Sequence, residues 1–457
     1  MKKFITPVAF ILLAFTSLNS CKKELVSQQT EGIAPDKSAD LSHGHLQQTK
    51  TYSSEVAYKW MDMQFHLMYT NPTPLPGAPS VRLWTYPAIA LYESVVPGMP
   101  AYQSLSGQLT DLPAMPSTLN GTAYSWPICA NSALATTIRH LFPNTTNANK
   151  TAIDSLENAL NEKYKMQTDN EEFQRSVDFG KAVGEVIFTW STTDGSANAN
   201  APYTPPVGPG LWVPTPPAFA KAATPYWGDN RLMVSTSLDG PAPQAPPVYS
   251  TDPNSDYYKM MKEVYDASLT LTNDQKAVAY FWSVKPGFPG AGSGPYLSLL
   301  EQILVHENPQ LDFTAYVWAK VSIAMNDAAI GCFKVKFQYN QQRPVTFART
   351  VLGEATWTPI VVTPPFPDFL SAHSSLAGSF AEILEGFFGT NYNFTDHTFD
   401  FQGQSSRFYS SFDALIQDIS DARFYGGIHS RFSCSEGAKL GRKVAQNVNN
   451  TLMFLKE

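Results

Sequence analysis

A run of prolines near the middle of the chain sets the layout of everything around it. Pro205, Pro206, Pro209, Pro214, Pro216 and Pro217 all fall within residues 193–253. Proline has no amide hydrogen to donate, and its ring collides with the preceding turn, so no regular helix passes through this stretch. Trp212, Tyr226 and Trp227 stud it. A connection this long is uncommon unless it is functional or disordered. The aromatic residues favour order: a segment that wraps the neighbouring helices and either helps roof a pocket or serves as a packed crossover.

On both sides of the break, apolar residues recur at helical spacing. Before it, helices are expected over Glu55–Tyr69, Leu83–Val96, Ser125–Leu141, Lys150–Tyr164 and Asn170–Thr189. After it they are expected over Tyr257–Leu269, Asn273–Val284, Tyr296–Glu307, Asp312–Phe337, Ser374–Phe388, Ser406–Ala422 and Ser435–Leu455. Strand signals are scarce, and Phe347–Thr350 with Thr358–Thr363 are expected to form one small hairpin. The class is all-α. Two packed helical bundles, residues 51–192 and 254–457, are joined by the proline-rich crossover of 193–253.

The first twenty residues read as a targeting segment, with Lys2 and Lys3 ahead of an apolar run from Phe4 to Phe15. Leu18-Asn19-Ser20-Cys21 resembles a bacterial lipobox. Residues 1–20 are thus expected to be a lipoprotein signal peptide and Cys21 the lipidated first residue, which implies an exported protein anchored to a bacterial membrane. Residues 21–50 are polar and read as a flexible tether. No later run approaches the roughly 20 apolar residues needed to span a bilayer. The net charge is −7, and because residues 1–20 hold two lysines and no acid, the rest carries −9. Such a balance gives no support for nucleic-acid binding. Besides Cys21 there are Cys129, Cys332 and Cys434, so at most one internal disulfide is possible, and no Cys/His spacing suggests zinc.

Three clusters in the second half carry chemistry. Lys336 is followed seven residues later by Arg343-Pro344, two helical turns away, so both cations are expected on one helix face with Pro344 ending the helix. Leu370-Ser371-Ala372-His373 follows a proline-rich approach and precedes a helical stretch, which places free amides and a positive dipole end at Ser371 to His373. Ala422-Arg423-Phe424-Tyr425-Gly426-Gly427-Ile428-His429 adds a third cation, a tight glycine turn and a second imidazole. Three fixed cations, a hydroxyl, helix-start amides and two histidines form a set suited to a tetrahedral or trigonal-bipyramidal oxyanion. The anion site therefore belongs to the C-terminal bundle. Buried cations need carboxylate partners, and Asp327 is the expected carboxylate behind them.

The order and spacing of these clusters resemble the superfamily that joins vanadium-dependent haloperoxidases to type 2 phosphatidic acid phosphatases. Leu271–Trp282, Ala324–Ile330 and the turn Pro225-Tyr226-Trp227-Gly228 are similar to further stretches of bacterial members. The resemblance implies that Lys336, Arg343, Arg423, Ser371 and the Ala372 backbone bind oxyanion oxygens. It implies His373 as the acid–base residue. His429 would be the vanadium ligand of a peroxidase or the phosphorylated nucleophile of a phosphatase. Vanadate is the implied cofactor of the first, and none of the second. The implied partners are hydrogen peroxide and halide, or a phosphate ester. A third reading is an anion- or partner-binding lipoprotein without turnover. The soluble, exported form leans toward the peroxidase. Phe333 and Phe366 stand where the chloroperoxidase-like branch lines its halide side, and both also fit a plain core role. Ala372, Ala422 and Ser293-Gly294-Pro295-Tyr296 depart from the family pattern, which has glycine, serine and a His-Trp-bearing stretch at these places.

Overall fold

The structure, a computed structural model, describes residues 47–73, 75, 77–283 and 292–457. The targeting segment, Cys21 and most of the tether lie outside the described residues. Helix α9 (Leu311–Tyr339) organises the rest. Its residues 321–333 are buried without interruption, so this mostly apolar part of the helix has neighbours on every side.

Five helices precede the proline-rich stretch: α1 (Glu55–Tyr69), α2 (Arg82–Val95), α3 (Trp126–Leu141), α4 (Asn147–Lys165) and α5 (Asn170–Ser191). Side chains cap two of the starts, with Thr146 accepting from the Asn149 amide and Asp169 from the Glu172 amide. After the stretch come α6 (Asp256–Ser268), α7 (Asn273–Phe281), α8 (Gly294–Glu307), α9, α10 (Pro344–Thr350), α11 (Ala372–Phe388), α12 (Phe412–Tyr425) and α13 (Arg431–Thr451). A capping box of Thr272 and Gln275 opens α7. Helix α2 packs on α3, α5 and α9; α8 packs on α1; and α9 packs on α11 and α13. The all-α class is as the sequence reads. No described helix is long and apolar enough to cross a membrane.

Two expectations about strands and boundaries fail. Residues 344–350 form α10, not a strand, because Pro344 at its first turn presets a helical φ. The two described strands, β1 (Phe394–Asp396) and β2 (Arg407–Tyr409), pair antiparallel in a region read as loop and helix. Helix α12 accordingly starts at Phe412, with Ser411 accepting from the Ala414 amide.

The proline-rich stretch is a wrap. Its amide at Trp212 bonds to the Asn340 carbonyl, and its Gly210 carbonyl receives the Gln342 amide. The Ala223 amide bonds to the Pro365 carbonyl. A Cβ on Gly228, in the turn singled out above, would stand 2.4 Å from the Lys334 Cα, so only glycine lets this turn lie on α9. All three described cysteines are free and buried.

Helices α11 and α13 approach closely enough for backbone to touch backbone. A Cβ at Gly441 would lie 1.9 Å from the Ser375 carbonyl oxygen, and one at Gly437 would lie 2.6 Å from that of Ser371. Gly441→Ala is therefore expected to destabilise the protein, by about the 1–3 kcal/mol typical of overpacking or more. Chemical denaturation measures this; an unchanged midpoint would mean the two helices can part without cost.

Candidate active site

Lys336 lies fully buried in the last turn of α9. Its ammonium donates to the carbonyls of Pro367 (2.9 Å) and Asp368 (2.8 Å). Asn340, at φ +47°, ends the helix in the left-handed conformation. Lys336 and Arg343 therefore do not share a helix face as their spacing suggested: Arg343 is the N-cap of α10, in extended backbone. It is fully buried, and donates from Nε to the Phe366 carbonyl (2.7 Å) and from Nη1 to that of Ile428 (2.9 Å). The strap 366–368 thus lies against both cations.

That strap leads into the second cluster. Ser371 caps α11, its Oγ accepting from the Ser374 amide (3.3 Å) and the Ser374 hydroxyl (3.0 Å). Ala372 is the first residue of α11 and has no positive φ, so the family's glycine is not required for this backbone. His373 follows, with part of its surface exposed. The Tyr296 hydroxyl, in the stretch that departs from the family, donates to the His373 carbonyl (2.9 Å).

Arg423 sits in the last turn of α12, 3% exposed, and donates from Nη1 to the Trp282 carbonyl (2.6 Å). Ala422 beside it is buried in core. Gly427, at φ +77° and against Pro359, makes the turn that delivers His429. The His429 Nδ1–H donates to Asp368 Oδ1, while Nε2 faces Arg343 Nη1 at 3.3 Å. Asp368 also accepts from the Ser433 hydroxyl (3.3 Å) and the Gln341 amide group (3.3 Å).

The structure thus brings Lys336, Arg343, Ser371, Ala372, His373, Arg423 and His429 to one place, but corrects the carboxylate. Asp327 is buried in α9 and accepts from the Met233 (2.7 Å) and Val234 (2.9 Å) amides, so it anchors the wrap. Asp368 is the carboxylate that opposes Lys336 and Arg343. The signal for it was its place three residues before Ser371, in the only segment leading to that cap. The two phenylalanines divide their roles. Phe366, partly exposed, covers Lys336 Nζ at 5.2 Å and Arg343 Cζ at 5.1 Å. Phe333 is fully buried and backs Phe366 with centroids 5.2 Å apart; it is core, with no exposed surface to line a pocket.

Charge in this pocket is unbalanced. Burial, with Arg343 beside it, pulls Lys336 down to about 7. Burial pulls Arg343 and Arg423 down to about 10. Among the described residues, the opposing neighbours of Arg423 are a thiol, Cys434, and a phenol, Tyr296. Burial and the surrounding cations hold both His373 and His429 well below the usual imidazole range, so both are neutral at pH 7. Arg343 Nη2 and Arg423 Nε are buried without a partner among the described residues. Buried donors without acceptors cost free energy, and an anion in this pocket would satisfy them. The neutral His429, with its proton fixed on Nδ1 by Asp368, presents an Nε2 lone pair that accepts from Arg343 Nη1 and that a ligand bond could take over. These residues fit a vanadate or phosphate.

A pH dependence follows. Lys336 is depressed from 10.5 in the unfolded chain to about 7, so stability is lost as pH falls through that window, where the unfolded chain takes up the proton first. A bound anion raises Lys336 again and removes the loss. Sulfate, whose own charge is constant here, is expected to raise Tm more at pH 7 than at pH 9.5. Thermal shifts check this, and equal shifts at both pH values in the wild type would exclude Lys336 from the anion site.

Residues 316–456 match the family described as "VCPO second helical-bundle domain". No curated protein sequence matches the chain. Among solved structures, that described as the first bacterial vanadium-dependent iodoperoxidase is 28% identical, covers 89% of this chain and 98% of its own, and superposes with a TM-score of 0.79. The family match thus covers residues 316–456, and the likeness to the iodoperoxidase structure covers most of the chain. A bacterial vanadium-dependent chloroperoxidase in apo form (14% identity, TM-score 0.61, 85% of this chain and 98% of its own) shares the fold. Its holo form is alike (14%, 0.62, 85% and 96%). The departures at Ala372 and Ala422 leave the cations and both histidines in place.

Proposed function

We propose that the protein is a vanadate-dependent haloperoxidase that oxidises halide with hydrogen peroxide. The carrying observation is the pair of guanidinium nitrogens on Arg343 and Arg423 that have no partner among the described residues, buried around a neutral His429. Bound vanadate would supply a Lewis-acidic centre that activates peroxide toward halide. Lys336, Arg343 and Arg423 would neutralise its oxygens, and the Ser371 hydroxyl and the first amides of α11 would add hydrogen bonds. His429 Nε2 would hold the metal. His373, neutral and partly exposed, would take a proton from an incoming peroxide and return it to a leaving oxygen. The likeness to an iodoperoxidase at 28% identity supports the same reading.

The test is a paired assay. One arm loads the protein with orthovanadate and measures oxidation of iodide, bromide and chloride by peroxide; the other measures p-nitrophenyl phosphate hydrolysis without vanadate. Vanadate-dependent halide oxidation is expected, with iodide, the most easily oxidised, fastest. Hydrolysis alone, inhibited by vanadate, would replace the reading with a phosphatase acting through a phosphohistidine. Silence in both arms would leave a binding protein.

Export and lipid attachment at Cys21 are part of the proposal, resting on the basic start, the apolar run and the lipobox-like residues 18–21. The wild type is expected in the detergent phase of a Triton X-114 partition and the Cys21→Ala variant in the aqueous phase. A wild type in the aqueous phase would remove the anchor.

A further inference from the structure

The small sheet of β1 and β2 is far too short to be stable alone, and what it is fastened to leads back to the anion pocket. Asp418, in the middle of α12, collects the Tyr409 hydroxyl (3.0 Å), the Arg407 Nε (3.0 Å) and a second Arg407 nitrogen, and so fixes the strand to the helix. The same Oδ2 receives the indole N–H of Trp282 at 2.9 Å. Trp282 is buried at the C-terminal end of α7, and its carbonyl takes the Arg423 Nη1 hydrogen at 2.6 Å. Its ring also packs on Tyr296 at 5.8 Å, whose hydroxyl holds the His373 carbonyl. Arg407 closes the arrangement from outside, 5.6 Å over the Phe281 ring.

The geometry points to Asp418 and Trp282 as positioning residues of the anion site: together they fix the carbonyl that orients the Arg423 guanidinium. The reason is mechanical. Among the described residues Arg423 is buried with no carboxylate among its opposing neighbours, so one neutral carbonyl holds its Nη1 while its Nε has no partner there. A planar guanidinium binds an oxyanion well only when its plane is fixed. That carbonyl is itself fixed because Trp282 is held to α12 at two points, its ring by Asp418 and its backbone by Arg423, five residues apart on the same helix. Removing the indole bond leaves a carbonyl attached to Arg423 alone, free to move with it. Neither residue reaches the anion pocket itself; both act through Arg423, and through Tyr296 on the backbone of His373.

This inference rests on the vanadate reading above, and its test separates the two. Orthovanadate affinity of the full chain is measured by equilibrium dialysis, with the melting temperature of each vanadate-free variant alongside. Trp282→Phe keeps an aromatic ring and removes the N–H. It is expected to weaken vanadate binding by about tenfold, the low end of one charge-assisted hydrogen bond. Tyr409→Phe takes a donor from the same carboxylate without touching Trp282, and is expected to leave the affinity within about twofold of wild type, since Asp418 keeps Arg407 and Trp282 as donors. The decisive readout is the cycle with Arg423→Ala: in that background Trp282→Phe should have no further effect. Wild-type binding with an unchanged Trp282→Phe variant, or additive losses in the cycle, would overturn the positioning role and leave the vanadate reading intact. A wild type that does not bind vanadate would overturn both. If Trp282→Phe does not fold, Asp418→Ala is measured in the same cycle, where the same two outcomes decide.

Discussion

A His429→Ala variant is expected to lose vanadate-dependent halide oxidation down to the uncatalysed background and to lose retained vanadate, yet still bind sulfate. The separation follows from how the site divides its work. Lys336, Arg343 and Arg423 supply the electrostatic attraction, and their side chains are untouched by the substitution. His429 supplies the one neutral nitrogen lone pair fixed among them, because Asp368 holds the proton on Nδ1 and the cations keep the ring from taking a second. Sulfate needs only the cations; vanadate needs the nitrogen as well. The variant also leaves the Asp368 Oδ1 without its imidazole donor, which costs about 1–3 kcal/mol, so the fold is checked by a thermal melt at each pH used. Retained turnover in a folded variant would show that His429 is not the ligand. Loss of sulfate binding together with vanadate would show that the substitution had collapsed the pocket.

What the chain discloses in its sequence, and what it hides, divides along a physical line. Helices whose burial follows from their own periodicity are read to within a residue or two: α1 and α2 begin where their apolar spacing places them, and α5 where its Asp169 cap does. The cations and histidines were legible because each cluster is local. Ser371 caps α11, Gly427 turns the chain into His429, and both devices leave a mark in adjacent residues. Contacts set by distant packing leave none. Lys336 and Arg343 have the right spacing for one helix face, but Asn340 closes α9 between them and they meet again only through the strap 366–368. Asp327 and Asp368 are equally plausible partners for buried cations from composition alone. The packing of the wrap on α9 claims the first through the Met233 and Val234 amides, and the approach of α13 to the strap delivers the second to His429. The β1–β2 pair was missed for the same reason: three-residue strands have no periodicity to read, and Asp418 on another element holds them.

Asp368→Asn is expected to weaken vanadate affinity or turnover by about 10–100-fold, the usual cost of losing the carboxylate behind a metal-ligating histidine. The mechanism is tautomeric. The ionised carboxylate accepts the His429 Nδ1 hydrogen and so leaves Nε2 bare. An amide at the same place can turn its own N–H toward Nδ1, which puts the ring proton on Nε2, where the ligand bond must form. Stability should move the other way. Burial pushes the Asp368 carboxyl up to about 6 despite Arg343 and Lys336 beside it. A carboxyl raised from 3.8 to about 6 makes the folded state lose stability as pH rises through that window, because the unfolded chain gives up its proton first. A neutral isostere lacks that loss, so the vanadate-free variant is expected to be at least as stable as wild type at pH 7. The wild type should also lose vanadate affinity below about pH 6, as Asp368 takes up its proton, whereas the variant should show no such step. A variant that is less stable at pH 7 and binds vanadate as tightly as wild type would make Asp368 a structural acceptor with no hold on His429. A variant that keeps the fold but loses the ligand would place the control of His429 in a residue that never touches the anion.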